Sequence, residues 1–124
     1  MRNSSHHLMT GRAGEETAAV YLRSLGYSIY AQNVRVQRDE IDIIAYDPHE
    51  RVLVFAEVKT RSVQDADFSP ELNITSAKKK KLQRSSRYWI AEHAFEGGYR
   101  IDVITVVGDD VADHFHAIDI DPVL

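Results

Sequence analysis

Residues 41–46 and 52–59 are two apolar runs on either side of Asp47-Pro48-His49-Glu50-Arg51, and that pairing limits what the chain can become. Asp-Pro favours a turn, and short runs rich in Ile, Val and Phe read as strands, so a β-hairpin is predicted. Side chains alternate across a strand. Ile41, Ile43, Ala45, Val52, Val54, Ala56 and Val58 then share one wholly apolar face, which must be covered. The other face holds Ile44, Tyr46, Leu53 and Phe55 near the turn but Glu40, Asp42, Glu57 and Lys59 at the open end. A turn over 48–51 pairs Asp47 with Val52 and sets Asp42 opposite Glu57, with Cβ atoms about 5 Å apart. A one-residue slip would send the two acids to different faces.

The flanking segments supply the cover. From Thr10 or Gly11 to about Leu25 the pattern is helical, because Glu15, Ala18, Leu22 and Leu25 recur at spacings of three and four, and Gly26 ends it. An edge strand is predicted over 27–36. A loop follows the hairpin at 64–70, and Thr75 or Ser76 caps a second helix to about Ala94. After Gly97-Gly98 come a strand over 100–107 and a short one around 115–120. The order αββ(β)αβ(β) describes an α/β protein, a mixed sheet flanked by helices. With 124 residues, 44% hydrophobic and 27% charged, the chain has the size of one domain. Residues 1–10 read as a polar, flexible N-terminus and 11–124 as that domain. There is no cysteine, hence no disulfide or thiolate metal site, and no apolar run long enough to span a membrane. A cytoplasmic protein is expected.

The charges at the hairpin's open end call for a reason, since ionised side chains are costly to bury unless paired or metal-bound. Alone, Glu57-x-Lys59 describes many solvated strand edges. Its weight comes from Asp42 one strand back and from Glu15, which ends a helical stripe that is otherwise apolar. If the leucine end of that helix packs on Ile44, Tyr46, Leu53 and Phe55, Glu15 arrives over Asp42 and Glu57. Three carboxylates and an ammonium then converge, and hard oxygen donors of this kind suit Mg²⁺ or Mn²⁺ in chemistry on phosphates.

Gly11-Arg12-Ala13-Gly14-Glu15, Asp39-Glu40-Ile41-Asp42-Ile43-Ile44-Ala45, Phe55-Ala56-Glu57-Val58-Lys59-Thr60-Arg61 and Arg100-Ile101-Asp102-Val103 resemble, in order and spacing, the bacterial YraN-like family. That family is similar to restriction-endonuclease-like PD-(D/E)xK nucleases, near the archaeal Holliday junction resolvases. The resemblance implies the restriction-endonuclease-like fold and a divalent-metal-dependent nuclease acting on DNA, branched or structured DNA included. It makes Asp42 and Glu57 metal ligands, Lys59 the catalytic lysine, Glu15 the helix acid of junction resolvases, and the Val58 carbonyl a further ligand. Junction resolvases act as dimers, so a homodimer belongs to the same expectation. The family commonly has Gly where Asp39 stands, which adds a carboxylate beside the site, and a larger residue at Ala13.

A phosphate substrate needs local positive charge, because the chain's net charge is −4. Lys78, Lys79, Lys80, Lys81, Arg84 and Arg87 supply it on the second helix, although four lysines near a helix start oppose its dipole. Arg61, on the side of Lys59 by alternation, is a further phosphate contact. A solvated charge run and an exposed strand end are the plain readings of these residues. His114-x-His116 has the spacing of a metal pair but lacks a third ligand, and surface placement is the plain reading. Asp102 fits either a polar role behind the site or a strand start near solvent. Leu82, Tyr88 and Trp89 read as core contacts of the second helix. Beside the nuclease stand two other readings, a non-catalytic nucleic-acid-binding module with the same fold and a structural partner protein.

Overall fold

A computed structural model describes residues 2–61 and 74–118, with residues 2–11 as backbone alone. Its elements are α1 (Arg2–Ser24), β1 (Ser28–Val36), β2 (Asp39–Asp47), β3 (Val52–Arg61), α2 (Ser76–Glu92), β4 (Gly98–Val107) and β5 (Asp110–Phe115). The strands form one sheet in the order β1-β2-β3-β4-β5. β3 and β4 are parallel and the other neighbours antiparallel, so the sheet is mixed and the class α/β, as predicted. Parallel strands need a long crossover, and the segment carrying α2 provides it.

Each helix covers one face of the sheet. Ala18, Ala19 and Leu22 of α1 are buried against Ile43, Ala45, Val54, Ala56, Ile104 and Val106. Leu82 and Trp89 of α2 pack on Ile44, Leu53, Phe55 and Ile101 from the other side. This corrects the predicted docking, in which α1 lay on Ile44, Tyr46, Leu53 and Phe55. The uniformly apolar hairpin face takes the helix with the smaller alanine contacts, and the bulkier aromatic face takes the helix carrying Trp89, whose ring meets Phe55 edge-on at 5.9 Å. Leu25, expected on the buried stripe, is exposed because the helix has ended. Gly26 has φ 92, and bonds from Tyr27 N to Leu22 O (3.1 Å) and Gly26 N to Arg23 O (2.9 Å) close the terminus as a Schellman motif.

Two further boundaries move. α1 begins at Arg2 rather than at Thr10 or Gly11; its first turns contain Ser4, Ser5, His6 and His7, with no apolar period to read. The last strand is Asp110–Phe115, not 115–120, because Gly108 with φ 61 turns the chain directly back onto β4. Tyr88 is exposed, although Leu82 and Trp89 are core as expected. The loop expected at 64–70 and the chain beyond 118 lie outside the described residues. Among the described residues no helix is long and apolar enough to cross a membrane.

Candidate metal centre

Pairing of β2 with β3 runs from Asp47↔Val52 to Ile43↔Ala56, the register that the turn length predicts. Asp47 fixes that turn, its Oδ1 accepting the His49 N–H at 2.8 Å and the Glu50 N–H at 3.3 Å. Past Ile43 the ladder ends. Asp42 does not face Glu57 across it; its Oδ2 accepts the Val58 N–H at 2.8 Å, taking the place of a strand partner. On the other side of β2, Asn33 lies between the pairs Gln32↔Ile43 and Val34↔Ile41, hence across from Asp42. Asn33 has φ 53, a left-handed conformation that Asn tolerates better than most residues. The alternation of faces breaks there. Ile43 packs with α1 and Ile41 with α2, whereas an unbroken pleat would place both on one face.

This break explains how acids from both faces meet. Glu57 stays on the side of α2. Glu15 comes from α1 on the other side, and Asp42 lies between them where the strands part. α1 approaches closely because residue 14 is glycine: a Cβ there would collide with Thr60 Oγ1 on β3. With its amide nitrogen turned toward the carboxylate, Asn33 donates to Glu15 Oε1 at 2.7 Å and Oε2 at 2.5 Å. Glu15, Glu40 and Asp42 each bring one oxygen to within 4.8 Å of the others.

Glu57 is not in that trio. Its carboxylate is buried, and Oε1 stands 3.6 Å from the ammonium of Lys59 and 3.6 Å from that of Lys78. Val58 contributes its N–H to Asp42. Burial and the charge of Glu57 raise the Asp42 pKa to about 7, with Glu15 adding to the rise and the Val58 N–H and Lys78 opposing it. Glu15 is also raised, first by burial, then by the charges of Glu40 and Glu57, against a lowering by Arg12. Hard oxygen donors, one of them held beside other acids in a partly dry site, fit a Mg²⁺ or Mn²⁺ ion that keeps some of its waters.

The basic residues divide by position along α2. Thr75 caps the helix, its Oγ1 accepting the Lys78 N–H at 3.1 Å. Lys78 reaches Glu57, and Lys78 and Lys81 line a cleft of about 320 Å³ with Arg38, Asp39, Glu40 and Asp42. Lys79 is half-buried, while Lys80, Arg84 and Arg87 are exposed. Asp39 is not a free carboxylate in front of the site: Oδ2 takes hydrogen bonds from Arg84 (2.8 Å) and Ser85 (2.7 Å), which hold its pKa low. Arg61 ends β3, half-buried.

At the opposite end of the sheet lies a second polar cluster. Asp102 is fully buried, which settles its two open readings against a solvent-exposed strand start. Arg100 donates to Asp102 Oδ1 at 3.0 Å, to Asp47 at 2.8 Å and to the Tyr27 hydroxyl at 2.7 Å. His114 Nε2 lies 2.7 Å from Asp102 Oδ2, and Tyr21 bonds the other ring nitrogen. His114 is therefore buried rather than on the surface, while His116 stacks on it with centroids 3.9 Å apart and is half exposed. These histidines do gain a third candidate ligand in Asp102. Arg100 already neutralises that acid and stands 3.3 Å from His116 Nδ1, which makes this a tie between strands. Burial alone would raise Asp102, but bonds from His114, Ala117 and Arg100 outweigh it and hold the acid low.

Glu15, Asp42, Glu57, Lys59 and Lys78, all legible in the sequence, lie together at the Asp42 end of the sheet. Glu40 was expected only as one of the open-end charges, and Asn33 was not expected at all. The signal for Asn33 was an Asn inside a strand, where it is disfavoured unless the backbone departs from the pleat.

The model of the uncharacterised protein family UPF0102 matches residues 14–106. A UPF0102 protein of Pelobacter propionicus is 37% identical over 107 residues, covering 85% of this chain and 75% of the relative. One from Cytophaga hutchinsonii is 34% identical over 108 residues, 87% and 93% of the two chains. One from Syntrophotalea carbinolica is 38% identical over 119 residues, 92% and 94%. The matched span runs from Gly14 through the acid cluster to Val106 in β4, and with it this chain belongs to the UPF0102 family, the YraN family.

Proposed function

We propose that the chain is a divalent-metal-dependent nuclease that hydrolyses phosphodiester bonds in DNA, branched or structured DNA included. One observation carries this reading: Glu15, Glu40 and Asp42 gather oxygens from two elements around a half-buried point, beside a buried Glu57 held by two lysines. A merely structural cluster would be expected to keep its acids ionised through paired bonds, as Arg100 does for Asp47 and Asp102 at the other end of the sheet, whereas burial and neighbouring acids raise Asp42.

In this reading Glu15, Glu40 and Asp42 hold Mg²⁺ or Mn²⁺, with Glu57 and the Val58 carbonyl as the further ligands that the family resemblance implies. The ion, when bound, lowers the pKa of a coordinated water and polarises a phosphoryl oxygen. Asn33 fixes the Glu15 carboxylate by bonds to both its oxygens. Glu57 positions the Lys59 ammonium, which offsets negative charge developing on the phosphate or orients the attacking water. Lys78, Lys81 and Arg38 line the approach and would counter the substrate's phosphates.

The test is cleavage of junction, flap, single-stranded and duplex DNA with Mg²⁺, Mn²⁺ or chelator. Metal-dependent cleavage that disappears in Asp42→Asn and Lys59→Ala is expected. Tight DNA binding with no cleavage of any substrate would leave a non-catalytic binding module instead.

A further inference from the structure

The cleft at the acid cluster does not end there. It shares Arg38, Asp39 and Ser85 with a second cavity of about 350 Å³. That cavity in turn shares Val36, Gln37 and Tyr88 with a third of about 730 Å³. One groove thus follows α2 from Lys78 to His93 along the β1 edge of the sheet, about 16 Å of helix rise separating Lys78 from Trp89.

The lining changes along its length. Near the acids the cationic side chains are Lys78, Lys81, Arg38 and Arg84, and the intervening Asp39 is tied to Arg84 and Ser85. At the far end Tyr30, Tyr88 and Trp89 form the walls. Tyr30 is 51% and Tyr88 41% exposed, so both rings are open to a ligand. Trp89, largely buried, edges the cavity, and the exposed His93 stacks on it with ring centroids 3.9 Å apart. Arg35, Gln37 and Glu92 lie at the same end, two donors and an acceptor.

From this succession we infer that the aromatic end of the groove is a site for an unpaired nucleobase, on a strand whose phosphates lie along Arg38, Lys81 and Arg84. A nucleic acid strand is the ligand that offers a line of negative charge followed by a planar aromatic ring with polar edges. Base stacking on tyrosine or tryptophan tolerates any sequence, while Glu92 can accept from an exocyclic amine and Arg35 or Gln37 can donate to a ring nitrogen or carbonyl. A paired base inside a duplex has no free face to offer, so the site selects single-stranded, frayed or branched substrates. The inference rests on the nuclease reading and narrows its substrate class.

Trp89 is the chain's one tryptophan, so its fluorescence reports on the site directly. A short oligothymidylate, an abasic oligomer of the same length and a blunt duplex are titrated into the full chain in chelator, where no cleavage occurs. The oligothymidylate is expected to quench Trp89, the abasic oligomer and the duplex not at matching concentrations. Tyr88→Ala should weaken oligothymidylate binding about tenfold without lowering the melting temperature, and Tyr88→Phe should restore it. Equal binding of abasic and base-bearing strands, unchanged affinity in Tyr88→Ala, or no binding of any strand overturns the base site. Mn²⁺-dependent cleavage without Trp89 quenching overturns the base site and leaves the nuclease reading standing. Quenching without cleavage of any DNA does the reverse.

Discussion

Asp42 is the carboxylate most at odds with its surroundings. Burial and the neighbouring Glu57 raise its pKa to about 7, above the ordinary value near 4 that it has when unfolded. Between those values the folded state binds the extra proton, so stability should fall as pH rises from about 4 to about 7, and the penalty is fully present above that. Without metal, Asp42→Asn should flatten this part of the profile and match or exceed the parent's melting temperature at pH 8, since an amide oxygen still accepts the Val58 N–H. Melting temperatures at pH 5 and pH 8 check both statements. Lys59 is a different kind of residue, paired with Glu57 at 3.6 Å and, in the proposed mechanism, acting on substrate rather than on the ion. Lys59→Ala should abolish cleavage while leaving Mn²⁺ affinity within a few-fold of the parent, measured by calorimetric titration. A loss of Mn²⁺ affinity as large as that of Asp42→Asn would show that the lysine holds the site together instead. Both residues were legible in the sequence because charged side chains stand out on an apolar strand. Asn33 was not, because both its backbone angle of φ 53 and its reach to Glu15 depend on a break in the pleat that no periodicity encodes.

The elements explain why Glu15 and Asp42 come together even though the predicted docking failed. Hairpin register follows from turn length, and Asp47↔Val52 was readable for that reason. Which helix covers which face depends on side-chain volumes meeting in three dimensions, and the alternating pattern is silent on it. Glu15 nonetheless reaches Asp42 from the other side, because the β2 pleat breaks at Asp42 and α1 lies close against Thr60. That close approach makes Gly14→Ala informative. An alanine in an exposed helix interior is worth up to about 1 kcal/mol over glycine. Here, overpacking against Thr60 should instead destabilise the protein by about 1–3 kcal/mol. Thr60→Ala in the same chain should recover most of that loss. Chemical denaturation of the two single variants and the double variant measures the coupling, and additive effects would mean that α1 does not rest on Thr60.

For the molecule as a whole, the two ends of the sheet treat their acids differently. Around Asp102 and Asp47, bonds from Arg100 and its neighbours hold the acids low and the cluster ties β2, β4 and β5 together. Around Asp42 the acids outnumber the lysines, and the cations extend outward along α2 instead. A chain of net charge −4 that binds DNA needs a local basic surface, and α2 carries six cations between Lys78 and Arg87. Replacing Lys79, Lys80 and Arg87 with alanine should weaken DNA binding. On duplex it should also flatten the dependence of log affinity on log salt, by about 0.9 for each phosphate that is no longer neutralised. An unchanged slope would remove the exposed face of α2 from the interface. In the proposed reading the acid end takes up a divalent cation, and thermal melting with Mn²⁺, Mg²⁺ or chelator tests that most directly. At pH 8 either metal should raise the parent's melting temperature, by mass action on the folded state. The rise should shrink at pH 5, where Asp42 is protonated, and vanish in Asp42→Asn. Melting curves of the parent that superimpose with metal and with chelator at pH 8, together with an Asp42→Asn chain clearly less stable than the parent, would contradict the metal centre.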